Sequence, residues 1–176
     1  MVIRSKQKLN YSFCRPFHIV LVNPEIPPNT GNIARLCAAT NSKLHLIHPL
    51  GFEIDDKHLK RAGLDYWHLL DIEEHLNWEE FKSKYNISIE SKTWYISTRG
   101  EKNIWETEFN SGDFFVFGSE TKGLNEDILA VNKNNTISIP MNGLTRSINL
   151  STAVGIVLYE GLRQLTSKKK LEVVAI

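Results

Sequence analysis

A series of short apolar runs limits what this chain can fold into more than any other feature. Phe17 to Val22 reads FHIVLV, nearly unbroken, and Leu44–His48, Thr93–Ser97, Phe114–Phe117 and Thr136–Ile139 are further segments of strand composition. A continuous run of this length suits a strand buried on both faces, as in a parallel sheet. Segments of helical spacing lie between them. Ile33, Leu36, Cys37 and Thr40 recur at three- and four-residue intervals, and Ile72, Leu76, Phe81 and Tyr85 mark an amphipathic helix. Glu126–Val131 reads as a short helix, Asp55–Ala62 as a polar one stopped by Gly63, and Trp67–Leu70 as a brief strand. The final helix has the clearest pattern. Leu150, Ala153, Val154, Val157, Leu158, Gly161, Leu162 and Leu165 form a 3.6-residue stripe. Lys168 to Lys170 follow it, where cations suit the negative end of the helix dipole. Pro24, Pro27 and Pro28 forbid regular structure after the first strand, and Asn29 to Asn32 have turn chemistry. The alternation predicts an α/β fold: a mostly parallel sheet with helices on both faces.

With 176 residues, 41% hydrophobic and 23% charged, the chain suits a single domain with a full core. No apolar run approaches the ~18 residues of a membrane span, so no membrane partner is expected. Cys14 and Cys37 are too few for a disulfide framework or a cysteine metal site, which points to a reducing compartment and a cytoplasmic protein. A formal charge of +1 does not announce a nucleic-acid binder. An RNA partner would need a local basic surface, or one assembled across an oligomer. Arg4, Lys6, Lys8 and Arg15 all precede the first acidic residue, Glu25. Residues 1–16 therefore read as a flexible, solvated basic extension; an RNA-contacting arm and a degenerate organellar transit peptide are the alternatives. Residues 17–166 form the domain, and 167–176 a C-terminal tail.

Polar, glycine-bearing segments follow several strands: Asn23–Arg35, Gly118–Leu124 and Met141–Asn149. Ligands of open α/β sheets collect beyond the carboxyl ends of the strands, so converging loops there would make a site. Known nucleotide signatures do not fit. No G-x-G-x-x-G follows the first strand, and Gly118–Gly123 leads into Leu124 rather than the Lys-Ser/Thr of a phosphate loop. H-E-x-x-H, C-x-x-C and G-x-S-x-G are missing. The six histidines read as structural or surface residues, and no metal is expected.

Three motifs carry a family resemblance. Asn23-Pro24-Glu25-Ile26-Pro27-Pro28-Asn29-Thr30-Gly31-Asn32-Ile33-Ala34-Arg35 resembles the first motif of SPOUT RNA 2'-O-ribose methyltransferases. Phe117-Gly118-Ser119-Glu120-Thr121-Lys122-Gly123-Leu124 resembles the second, and Ile139-Pro140-Met141 through Thr145-Arg146-Ser147-Ile148-Asn149-Leu150-Ser151 the third. Arg61 to Tyr66 is similar to a stretch of the minimal tRNA (cytidine/uridine-2'-O-) wobble methyltransferases. The resemblance runs from about Phe17 to Leu165. It implies a C-terminal deep trefoil knot, although knots are nearly absent from proteins in general. It implies S-adenosylmethionine as methyl donor, tRNA as substrate with the wobble cytidine or modified uridine as target, and a homodimer. Part of the final helix stripe would then be dimer surface. Methylation of another tRNA or rRNA site, or RNA binding without catalysis, is the alternative.

The same resemblance assigns roles. Ile96, Gly118, Ile139 and Ser147 match the family's donor contacts; glycine at 118 lets the backbone approach a ligand closely. Arg35, Glu120 and Asn149 are the catalytic candidates. Arg35 would engage the target ribose or its phosphate. Because guanidinium ionises above ~12, positioning and stabilisation of the developing alkoxide suit it better than proton abstraction. Glu120 would orient Arg35 or the first loop; Asn149 would bond near the donor or cap the last helix; Asn32 would brace the first loop. Arg35, Arg146 and Tyr159 are the RNA-binding candidates. Lys57, Lys60 and Arg61 form a further basic face, and Lys122 lies within the second motif.

Overall fold

The computed structural model describes residues 7–10, 15–53, 71–85 and 92–175. The helix expected over Asp55–Ala62, the strand over Trp67–Leu70 and the basic face of Lys57, Lys60 and Arg61 lie outside the described residues. The elements in chain order are β1 (Gln7–Asn10), β2 (His18–Val22), α1 (Pro27–Thr40), β3 (Lys43–Ile47), β4 (Ile72–His75) and α2 (Trp78–Tyr85). They continue with β5 (Thr93–Ile96), β6 (Lys102–Asn103), β7 (Phe114–Phe117), α3 (Glu126–Val131), β8 (Thr136–Ser138), α4 (Leu150–Ser167) and β9 (Glu172–Ala175).

Seven strands form one sheet in the order β4-β3-β2-β7-β5-β8-β6, and each pairing in it is parallel. Its central strands have no polar side. Ile19 and Leu21 of β2, Phe115 and Phe117 of β7, and Trp94 of β5 pack on one face with Ile33, Ala34 and Cys37 of α1 and the stripe of α4. Their neighbours Val20, Val22, Phe114, Val116 and Tyr95 pack on the other, with Phe81 of α2 and Ile128 of α3. Helices cover both faces, which is why the strands read as continuous apolar runs.

Several expectations change. α1 begins at Pro27, so Pro27, Pro28 and Asn29–Asn32 are its first two turns rather than a turn outside it. Proline has no N–H to leave orphaned in a first turn and its φ is already helical. The helix expected to carry Ile72 and Leu76 starts only at Trp78. Ile72 is drawn into β4 by pairing with Leu44, and Leu76 is exposed. Asn77 accepts the Glu80 N–H at 2.9 Å while the Glu80 carboxylate accepts from Leu76 N–H, a reciprocal cap that sets the helix start. The eight stripe residues of α4 are all buried within this one chain. The stripe is therefore monomer core, not dimer surface. Gly161 permits the contact: a Cβ there would lie 2.9 Å from the Phe17 ring. Finally, β1 and β9, from the segments read as extension and tail, pair antiparallel from Gln7↔Ala175 to Asn10↔Glu172. No helix among the described residues is long and apolar enough to cross a membrane.

Candidate functional site

All seven strands of the sheet point the same way, so the segments following β2, β5, β7 and β8 emerge along one edge. A cavity of about 750 Å³ opens there, within the range of small-molecule sites. Its apolar walls include Ile96, Phe117, Leu124 and Ile139, and its polar rim includes Arg99, Glu120, Lys122, Arg146, Ser147 and Asn149. Ile96, Gly118, Ile139 and Ser147, the expected donor contacts, come from three separate segments and all line it.

Hydrogen bonds tie the three motifs together. Ile26 caps α1 without a side-chain cap of its own, and no acidic residue stands in the first turn. Glu120 supplies both from the second motif. Its carboxylate accepts from the backbone N–H of Glu25 at 2.8 Å and of Ile26 at 3.2 Å, and from Asn29 Nδ2 at 2.9 Å. A carboxylate at a helix N-terminus also opposes the positive end of the dipole. Asn29 Oδ1 in turn accepts from Asn149 Nδ2 at 2.8 Å. Asn149 Oδ1 caps α4, accepting from Ser151 N–H at 2.9 Å and Thr152 N–H at 3.3 Å. The Thr121 hydroxyl donates to the Glu25 carboxylate, joining the same loops again.

The Glu120 carboxylate thus bonds the first loop and the start of α1. Asn149 caps α4 and, through its amide, joins Asn29 at the cavity rim. At Gly118 the loop's own backbone leaves no room for a side chain. A Cβ there would lie 1.9 Å from the Gly123 carbonyl carbon and 2.1 Å from Leu124 N, inside the loop's own backbone. Gly123 takes φ +71° to close that turn, and Ser119 and Gly123 form an isolated bridge.

Two candidates lie outside the lining. Arg35 is exposed on α1, on one face with Pro28, Asn32 and Ala39. Helical Cα–Cβ bonds tilt toward the N-terminus, so its side chain leans toward the loop edge. Tyr159 is exposed on the outward face of α4 with Thr152, Ile156 and Arg163. Three participants were missed from sequence. Asn29, 6% exposed, is the link between Glu120 and Asn149, although its place in the first motif was the available signal. Thr98 and Arg99 line the cavity from the loop after β5, with Arg99 paired to Glu126 of α3; no motif marks them.

The apolar walls of this cavity can hold a purine ring, while the polar rim can meet a charged or ribose-bearing group. Comparison with known proteins agrees with this chemistry. The model of the SpoU rRNA Methylase family matches residues 16–159. A tRNA (cytidine(34)-2'-O)-methyltransferase of Saccharophagus degradans is 49% identical over 150 residues, covering 85% of this chain and 96% of the relative. Its counterpart from Yersinia pestis is 46% identical, covering 84% and 93%. A solved structure described as giving insight into the 2-OH methylation of C/U34 on tRNA superposes with a TM-score of 0.80. It is 44% identical and the match covers 87% of this chain and 98% of that one.

Proposed function

The chain belongs to the SpoU rRNA Methylase family, and on that premise we propose that it transfers the methyl group of S-adenosylmethionine to a ribose 2'-hydroxyl of tRNA, at the wobble nucleotide. The observation that carries this reading is that Ile96, Gly118, Ile139 and Ser147, set apart along the sequence, line one cavity. The target rests on relatives bearing that name, which the match covers to 96% and 93% of their length. The donor occupies the cavity with its adenine against Ile96 and Ile139 and backbone groups of the 118–124 loop. The network of Glu120, Asn29 and Asn149 keeps that loop and the starts of α1 and α4 in fixed relation, so the acceptor oxygen meets the methyl carbon in line. Arg35 acts from the RNA side, positioning the ribose and stabilising the alkoxide that develops at its 2'-oxygen. Arg146 and Tyr159 contact RNA.

The reading includes a homodimer, a trefoil path for the C-terminal segment, and residence in the cytoplasm with its tRNA. In support of the trefoil path, β8 sits between β5 and β6, and the Gly100 backbone presses on Ile137 so closely that a Cβ would come within 2.4 Å. The outward face of α4, with Ile156 and Tyr159 exposed, is free of the monomer core and suits either the dimer or the RNA.

The test is nucleotide-resolution mapping of 2'-O-methylation after incubating tRNA with the purified protein and S-adenosylmethionine. Donor-dependent methylation confined to the wobble ribose is expected. Methylation at another tRNA or rRNA position would redirect the target, and none with any RNA despite donor binding would end the catalytic reading.

A further inference from the structure

β2, β3 and β4 carry a second polar cluster, on the sheet face turned to α2, that methyl transfer does not use. His45 of β3 is fully buried and His75, closing β4, is nearly so. Their rings form a chain: His18 Nδ1 lies 2.9 Å from His45 Nε2, and His45 Nδ1 lies 3.1 Å from His75 Nε2. Glu73 is the register partner of His45, and its Oε1 lies 3.8 Å from His75 Nε2. One ligand atom from each of His45, Glu73 and His75 falls within 4.8 Å of the others.

We propose that His45 Nδ1, His75 Nε2 and Glu73 Oε1 bind one divalent transition ion of the zinc type, fastening β3 to β4 beneath α2. Two imidazoles and a carboxylate are a donor set suited to such an ion, with water completing a tetrahedron. Zinc–nitrogen bonds of about 2.0–2.1 Å would place two ligating nitrogens roughly 3.3 Å apart in that geometry. The two ring nitrogens already stand at 3.1 Å. In their mutual hydrogen bond one of these nitrogens carries a proton, which moves to the far nitrogen of the His75 ring when the ion binds. In the binding tautomer His45 keeps its proton on Nε2, donating it to His18 Nδ1, and His75 carries its proton on Nδ1.

The surroundings hold the ligands as metal sites require. His18 fixes the far nitrogen of His45. Lys43 Nζ, 3.0 Å away, and the Tyr85 hydroxyl both bond Glu73 Oε2, leaving Oε1 turned to the histidines. Such outer contacts orient ligands and commonly command 10–100-fold in affinity, by rough estimate. Lys84, half exposed on α2, ion-pairs with Oε1, and the ion would take its place there. In the sequence these histidines read as structural or surface residues, because the ligands lie on two strands far apart in the chain and only parallel pairing assembles them.

Chelator-treated full-length protein titrated with zinc chloride by calorimetry should take up one ion per chain, with a rise in melting temperature. His75→Asn and Glu73→Gln should each weaken uptake by about tenfold or more. His48→Gln, in the exposed His48–Glu74 pair, should leave it unchanged. Cobalt(II) reads the ligand set in the unaltered protein, where strong visible bands of a four-coordinate ion are expected. Failure to take up a stoichiometric ion, uptake untouched by both ligand variants, or only the weak bands of hydrated cobalt would overturn the proposal. None of those outcomes bears on methyl transfer, which is measured separately.

Discussion

Gly118 and Arg35 separate two ways in which a single residue can matter. At Gly118 the demand is steric and internal, since any Cβ would enter the Gly123–Leu124 backbone. Gly118→Ala should therefore cost about 1–3 kcal/mol or more of stability, the scale of overpacking, and donor affinity should fall with it. Urea unfolding beside donor calorimetry checks this; a fully stable variant that merely fails to bind donor would return the glycine to ligand approach. Arg35 is exposed on α1 and absent from the cavity lining, so its replacement should spare both fold and donor. Arg35→Ala should lower single-turnover methyl transfer by roughly 10²–10³, the scale of losing one preorganised donor. Arg35→Lys should rescue it poorly, because the planar fork is lost while the charge is kept. Near-normal transfer by Arg35→Ala would sink its assignment. The match to a motif named both residues, but only the backbone packing shows that Gly118 has no room for a side chain.

At the scale of elements, the starts of α1 and α4 share one arrangement. α1 takes its cap from Glu120, a residue of another loop, whereas α4 is capped by its own Asn149, and Asn29 links the two. Glu120→Ala would leave the Glu25 and Ile26 N–H groups without their acceptor. The expected loss is about 0.5–1.5 kcal/mol for each hydrogen bond removed, together with weaker donor binding as the loop drifts. Unchanged urea midpoints would show that water replaces the carboxylate without penalty. α4 divides cleanly into a buried stripe and an outward face. Leu158→Ala should cost about 2–5 kcal/mol and leave the number of subunits in sedimentation unchanged. Tyr159→Ala should change stability by about 0.5 kcal/mol or less but weaken subunit or RNA association. The reverse pattern would restore the stripe to the dimer interface.

For the whole molecule, the sheet carries its site at one end of β2, β5, β7 and β8, and its histidine row across β2, β3 and β4. That row gives the metal-free fold a pH dependence. Burial, helped by the Lys43 charge, holds His18 down at about 4, and burial likewise lowers His45 and His75. Asp71 and Glu73 oppose this only in part. In the unfolded chain these rings titrate near ~6.5. Above that pH both states are neutral and the full stability is present. As pH falls from about 6.5 toward 4, the unfolded chain takes up protons that the folded one refuses, so stability is lost. Urea midpoints of chelator-treated protein should drop steadily across that interval, less so for His18→Gln; a flat profile would contradict it. The chain by itself determined the α/β alternation, the positions of β2, β3, β5, β7 and β8 and the stripe of α4, because burial on two faces or on one stripe leaves a local period in the sequence. Three ordered motifs likewise marked the loops of the site. Tertiary structure decided the rest. Ile72 became strand because β3 offered it a partner, Pro27–Asn32 became helix because Glu120 arrived to cap it, and three histidines met because parallel strands brought them abreast. Each of these depends on a partner far along the chain, and such a contact leaves no periodicity in the residues on either side of it.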